Sequence, residues 1–398
     1  MTPPMRIVSL IDRIEPFYVM EVAKAASQLA REVAHTDRPM IFLNIGEPDF
    51  TAPPLVQEAA ARAIRDGVTQ YTDAMGLASL RERISGWYMH RFGVDVPAHR
   101  IVITAGASAA LQLACLALIE RGDQILMPDP SYPCNRHFVI AADGEPVMVP
   151  TTAAERFQLS AAKVEANWGP QTRGVLLASP SNPTGTSIPF DELRRIHEFV
   201  SAKGGITLLD EIYLGLSYDA RYGQTGLALD DNVISINSFS KYFNMTGWRL
   251  GWMVVPEALV RPIERLAQNL FICASSIAQH AALACFETES LQEYELRRAE
   301  FKARRDWFIP ALQSAGLPVP VTPDGAFYAW ADCGDACKRW GVKDSWDFAF
   351  ELMKRAHIAV TPGRDFGSAQ GSRFVRFSTA SSMQHLQEAG KRLAAALA

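Results

Sequence analysis

The sequence predicts an α/β protein with a large, mostly parallel sheet, followed by a smaller α+β part. Three observations carry this. Between residues 100 and 256, short runs rich in Val, Ile and Leu alternate with helix-length amphipathic segments. Several of the runs end in Gly, Pro, Ser, Asp or Asn, the kind of polar strand end at which such sheets bind ligands. Beyond about residue 300 the alternation gives way to short strands and helices of different composition.

Taken in chain order, the first 45 residues read as an arm and a helix that pack with the small domain. The runs Ile101–Thr104, Gln124–Met127, Val175–Ala178, Thr207–Asp210, Val233–Asn237 and Leu250–Val255 read as buried strands. Ala107–Glu120, Phe190–Lys203 and Glu257–Asn269 read as helices, with Pro189 and Pro256 just before two of the starts. A charged amphipathic stretch from about Leu291 to Ala315 leads into strands Ala326–Trp330, His357–Val360 and Arg373–Phe377 and helices Ser345–Arg355 and Met383–Leu397. The expected division is an arm over 1–45, a large domain over 46–295 and a small domain over 296–398.

With 398 residues, 48% hydrophobic and 21% charged, the chain is in the globular range and too long for one simple core. Its 39 basic and 43 acidic residues give a net charge of −4 without a long run of one sign, which argues against nucleic-acid or membrane partners. The six cysteines are scattered, and the nearest pair, Cys333 and Cys337, has no zinc-like companions, so reduced thiols and no metal site are expected. The start, Met1-Thr2-Pro3-Pro4-Met5-Arg6, leads into an apolar stretch broken by Asp12 and Arg13 and lacks a signal-peptide core. The longest apolar run, about Ala105 to Ile119, is shorter than the roughly 20 residues that span a bilayer. A cytoplasmic location is the expectation.

Chemistry concentrates in Ser238-Phe239-Ser240-Lys241, with Thr246-Gly247-Trp248-Arg249 behind it. A lysine that forms a Schiff base must lose its proton, through desolvation or a neighbouring cation. An anionic phosphate, in turn, calls for Arg and hydroxyl donors. Asp210 ends an apolar strand, where a carboxylate needs a cationic partner, and a protonated pyridine nitrogen is one; capping the next helix is the plainer alternative. Tyr213 would then reach the phenolic oxygen of such a ring. Ser179-Pro180-Ser181-Asn182-Pro183 forms a rigid loop able to aim Asn182 the same way. The amides of Ala107 and Ser108 stand at a strand-to-helix turn suited to phosphate, and Tyr132 could lie flat on a ring or simply pack in the core. Near the C-terminus Arg373 and Arg376 share an alternating strand, and either guanidinium suits a carboxylate.

Together these segments resemble the fold-type I, pyridoxal-phosphate-dependent aminotransferases of class I/II, the group with bacterial aspartate and aromatic aminotransferases. The motifs are Gly46-Glu47-Pro48-Asp49-Phe50, Tyr71-Thr72 with Gly76 and Leu80-Arg81, Ser181-Asn182-Pro183-Thr184-Gly185, Asp210-Glu211-Ile212-Tyr213, Ser238-Phe239-Ser240-Lys241, Gly247-Trp248-Arg249 and Val375-Arg376-Phe377-Ser378. They stand in the right order almost from end to end. The resemblance implies a seven-stranded, mostly parallel sheet and transfer of an amino group between an L-amino acid and a 2-oxo acid through a Lys241 aldimine. It implies that Asp210 pairs with the pyridine nitrogen, that Asn182 and Tyr213 bond the phenolic oxygen, and that Tyr132 stacks on the ring. Ala107, Ser108, Ser238 and Arg249 would hold the phosphate, with Tyr71 reaching it from the second subunit of a homodimer. Arg376, helped by Asn182 and the Gly46 backbone, would clamp the substrate carboxylate. Ser108 departs from the pattern, since aspartate-preferring members carry a lysine there. With the arm's Phe17, Tyr18 and Met20 it points to an uncharged substrate side chain, unless Arg13 swings in.

Three rival readings compete. Ser238-x-x-Lys241 also matches the nucleophile motif of class A β-lactamases, but their companion motifs are missing. A cofactor-binding sensor of a transcription regulator needs a DNA-binding domain, for which 398 residues leave no room. β-Elimination, as in carbon–sulfur lyases, is the alternative on the same scaffold, since it begins with the same α-proton loss.

Overall fold

The computed structural model describes residues 5–16 and 18–398. Met1–Pro4 of the N-terminal reading and Phe17 of the arm lie outside the described residues. The strands are β1 (Ile41–Phe42), β2 (Ile101–Thr104), β3 (Gln124–Asp129), β4 (Glu145–Pro150), β5 (Thr172–Ala178) and β6 (Ile206–Asp210), then β7 (Ile234–Ser238), β8 (Gly251–Val254), β9 (Tyr328–Asp332), β10 (Ile358–Ala359), β11 (Thr361–Pro362) and β12 (Phe374–Ser378).

Seven of them form one sheet in the order β2-β8-β7-β6-β5-β3-β4, in which only β8 runs against its neighbours. The β-branched and aliphatic runs make this sheet because it is covered on both faces. Alternation along β8 sends Trp252 and Val254 into an aromatic layer with Trp87, Tyr88, Phe239 and Phe243, and Met253 into an opposite layer with Val102, Leu113 and Leu176. The six parallel strands therefore deliver Thr104, Asp129, Ala178, Asp210 and Ser238 to one edge.

A separate antiparallel sheet, β11-β12-β9, packs against the 27-residue helix Thr288–Ser314, which crosses the expected boundary without a break. Helix Val19–Val33 buries Val22 and Ala26 against Met353 and Ala359, and β1 adds in parallel to β10. Among the described residues no helix is long and apolar enough to cross a membrane.

Several expected elements move for local reasons. The strand expected over 326–330 begins only at Tyr328, because Ala326 takes a left-handed φ of 56°. That expected over 357–360 loses His357, whose left-handed conformation closes helix Ser345–Ala356, and shortens to β10, with β11 following beyond Val360. The strand β4, and the helices Pro54–Arg65 and Ala78–Phe92, were not among the elements named from the run pattern. β4 lies at the sheet edge, is only partly buried and carries two prolines, so it lacks the buried-run signature.

Candidate active site

A cavity of about 450 Å³ opens at the edge where the parallel strands end. It brings together Gly46, Ala107, Ser108, Tyr132, Asn182, Asp210, Tyr213, Ser238, Lys241, Arg249 and Arg376. Tyr71 does not join them in this chain and stands 78% exposed.

Lys241 sits in the turn after β7, which is tightened by the Ser240 N–H donating to Ser238 Oγ at 3.0 Å. Its Nζ donates to the Gly46 carbonyl at 2.6 Å and faces the rings of Tyr213 and Phe327. Burial and the nearby Arg376 guanidinium push its pKa down to about 8, against the opposing pull of Glu47. An amine so placed is partly neutral near physiological pH, as Schiff-base chemistry needs.

Asp210 is buried at the end of β6, where burial pushes its carboxyl up to about 7. Its Oδ1 accepts from the Ile212 N–H at 3.1 Å. The adjacent Glu211, on the other face of the strand, is fully engaged by Thr225, Ser235 and the Gly226 amide. Of the two acids, Asp210 is the one with acceptor capacity left for a cation in the cavity.

At one end of the cavity the chain builds an anion cradle. Helix Gly106–Leu118 starts there, with the Ala107 and Ser108 amides in its first turn. Gly106 has φ +81°, a conformation that favours glycine, and a Cβ on it would lie 2.6 Å from Arg249 Nη2, so a larger residue would shift the guanidinium from this place. Arg249 itself is left-handed, and its Nη1 donates to the Thr246 carbonyl at 3.2 Å.

At the other end Arg376 is buried in β12. Nη1 donates to Asn182 Oδ1 at 2.8 Å and Nη2 to the Asn44 carbonyl at 2.7 Å, while Nε is buried without a partner. The guanidinium lies against the rings of Tyr328 at 4.5 Å and Phe366 at 5.0 Å. Arg373, just before the strand, is instead largely exposed and paired with Asp332. Of the two arginines open in the sequence, only Arg376 faces the cavity.

Three residues here escaped the sequence reading. The Tyr328 hydroxyl meets that of Tyr213 at 2.6 Å and leaves no room for a side chain at Gly46. Asn44 and Thr361 complete the frame of Arg376. The only sequence signal for Tyr328 was its place within the apolar run Ala326–Trp330, which reads equally well as core. The remaining wall is apolar, with Val19, Met20, Ala23, Ile45, Leu111 and Ile212. Arg13 does not swing in: it pairs with Glu145 at 2.8 Å and donates to the Gly144 carbonyl.

Residues 38–393 match the family model described as aminotransferase class I and II. The chain is 38% identical to a valine–pyruvate aminotransferase of Mycobacterium tuberculosis, over 97% of each chain. Its fold is similar to that of a crystallised aminotransferase from Mycobacterium tuberculosis, with a TM-score of 0.92 and 36% identity over 98% of this chain and 99% of that one. It is also similar to the aspartate aminotransferase of Thermus thermophilus crystallised with maleate, with a TM-score of 0.90 and 28% identity over 99% and 100% of the two chains.

Proposed function

This chain belongs to the class I and II aminotransferases, and we propose that Lys241 is the residue that carries its cofactor, pyridoxal 5'-phosphate. It is a fold-type I transaminase, an enzyme that moves an amino group between an amino acid and a 2-oxo acid. The observation that carries the assignment is the Lys241 amine, depressed to about 8 and held between an anion cradle at Gly106 and Arg249 and a carboxylate site at Arg376.

The residues present fit the cofactor. Asp210 has spare acceptor capacity at the sheet edge, Arg249 and the first amides of helix Gly106–Leu118 suit a phosphate, and Arg376 Nε awaits an acceptor. Bound pyridoxal phosphate supplies an electron sink for the α-carbon of the amino acid. Asp210 would hold the ring nitrogen protonated, Tyr213 and Asn182 would bond the phenolic oxygen, and Tyr132 would cover a ring face. Ser238 would join Ala107, Ser108 and Arg249 in holding the phosphate. Arg376, with Asn182 and the Gly46 backbone, orients the α-carboxylate, and Lys241 as a free amine moves the α-proton.

The proposal extends to a homodimer in which Tyr71 reaches the phosphate of the other subunit. Its support is the exposure of Tyr71, with Ile64 at 58%, Ile272 at 51% and Leu270 at 50% also open to solvent. A cytoplasmic location belongs to the same reading, supported by six cysteines that are all free thiols. The preferred amino acid has an uncharged side chain, since Lys241, Arg249 and Arg376 are each committed and the remaining wall is apolar. The relatives' names differ in substrate, so the wall carries this point.

Exchange of Lys241 for Ala tests the assignment. The purified variant should lose the visible absorption of lysine-bound cofactor and nearly all exchange between an amino acid and a 2-oxo acid. Near-normal exchange in Lys241→Ala overturns it.

A further inference from the structure

Asp129 ends β3 with a buried carboxylate that forms no ion pair among the described residues. Its donors are backbone amides from the other end of the chain. Oδ2 accepts from the Ser368 N–H at 2.9 Å and from the Ala369 N–H at 3.1 Å. Such bonds to a charged acceptor are the stronger kind, and a buried carboxylate is costly without them. Oδ1 leaves no space on its own side, since a Cβ placed on Gly367 would lie 1.8 Å from it. Residues 366–369 are thus wrapped onto one carboxylate.

The anchor is itself fixed. The Asp129 carbonyl accepts from both the amide and the hydroxyl of Thr151, at 2.9 and 2.8 Å, where β3 and β4 finish side by side. Two residues on, the Ser131 amide donates to the Phe366 carbonyl at 2.8 Å, and Tyr132 of the cavity follows directly. Phe366 is buried, edge-on to Trp330 at 5.5 Å and against the Arg376 guanidinium at 5.0 Å. The far end of the same loop is held by Ser345, whose hydroxyl donates to the Gly371 carbonyl at 2.6 Å. An end of the large sheet therefore carries, through two amides, one of the rings packed on Arg376.

We propose that Asp129 is a positioning residue for the substrate's α-carboxylate: by holding residues 366–369 against the end of β3 it keeps the Phe366 ring on Arg376 and fixes how that guanidinium meets the carboxylate. The inference rests on the reading that Arg376 takes the α-carboxylate. A guanidinium binds a carboxylate best through two N–H groups in one plane, so a tilted plane weakens one of the two bonds. Asn182 and Asn44 fix where Nη1 and Nη2 lie, and the rings of Tyr328 and Phe366 fix the tilt. Every amino acid and 2-oxo acid presents the same carboxylate. The effect of Asp129 is therefore independent of the substrate's side chain.

The test uses the holoenzyme of wild type, Asp129→Ala, Asp129→Asn and Gly367→Ala, with alanine and leucine as donors and 2-oxoglutarate as acceptor. In Asp129→Ala the KM of both donors and of the acceptor should rise roughly fivefold, the size of one net hydrogen bond, while kcat changes by less than about twofold. Binding of 3-methylbutanoate, a carboxylate without an amino group, should weaken by the same factor in calorimetry. Asp129→Asn, which keeps an acceptor oxygen for the two amides, should recover most of the affinity. Gly367→Ala leaves Asp129 in place and pushes the loop off it, so it should repeat the loss, and it decides the matter if Asp129→Ala does not fold. On an Arg376→Ala background, loss of Asp129 should lower kcat/KM by less than about twofold, because the group it positions is gone. A fall of about fivefold on that background, an effect confined to leucine, or an unchanged KM in Asp129→Ala or Gly367→Ala overturns the role of Asp129 alone. Failure of the wild type to exchange either donor, or an unchanged KM in Arg376→Ala itself, overturns the underlying functional reading instead.

Discussion

Tyr213 and Tyr328 face each other hydroxyl to hydroxyl at 2.6 Å, both buried, so only one hydrogen lies between the two oxygens. Burial raises the pKa of both phenols, and Tyr328 has the Arg376 guanidinium against its ring. If Tyr328 donates to Tyr213, the Tyr213 hydrogen is released toward the cavity.

Tyr328→Phe should therefore weaken the hydrogen bond that Tyr213 offers to the cofactor. One net hydrogen bond is worth about 0.5–1.5 kcal/mol, so kcat should fall roughly two- to tenfold. Steady-state rates with one amino-acid donor check this, and an unchanged kcat would make Tyr328 a packing residue only.

Capture of the cofactor by the apoenzyme should depend on pH through Lys241. Its folded pKa, about 8, lies below the ordinary lysine value, so the neutral amine grows as pH rises toward 8 and is nearly complete soon after. The rate at which visible absorption appears after mixing should climb up to that point and then level off. A profile still climbing near pH 10 would show a solvent-exposed lysine instead.

Asp210 should act oppositely on the empty and the loaded protein. Its carboxyl is raised from 3.8 to about 7, so the folded apoenzyme binds more protons than the unfolded chain between those values and loses stability as pH rises through that window. Asp210→Asn should therefore raise the apoenzyme Tm at pH 8, because a buried unpaired carboxylate is removed. The same change should slow α-proton abstraction in single-turnover kinetics, because an amide cannot hold the ring nitrogen protonated. A variant that is no more stable as apoenzyme, or that abstracts the proton at the normal rate, contradicts this pairing.

Aspartate should be a poor donor. Ser108 offers only a hydroxyl at the cavity and Arg13 is held by Glu145, so a second carboxylate would enter an apolar wall without a partner. Specificity constants for aspartate, phenylalanine, leucine and alanine with one 2-oxo acid decide the matter, and a clear lead for aspartate contradicts it.

What the sequence made legible follows from where the constraints lie. The central strands were readable because burial on both faces forces continuous apolar runs, as in β5 and β8. β4 was not, since an edge strand with a proline near each end carries neither that run nor a strict alternation. Arg373 and Arg376 could not be ranked from spacing alone. Three residues apart on a pleated segment, they point to opposite faces, and only the pairing of β12 with β9 tells which face meets the cavity. Tyr328 was hidden for a related reason: its hydroxyl matters through Tyr213, far away in sequence and joined to it only by the fold.

Helix Thr288–Ser314 gives the molecule a shared keel. Tyr294 and Phe301 bury into the aromatic layer of the large sheet, whereas Phe308, Ile309 and Leu312 bury beneath the C-terminal sheet. A chain severed at residue 295 would cut this helix within its first turns and leave the piece beyond it with Phe301 uncovered. The two layers are therefore mechanically one object along this axis, and a strain that unwinds either end of the helix is felt by both.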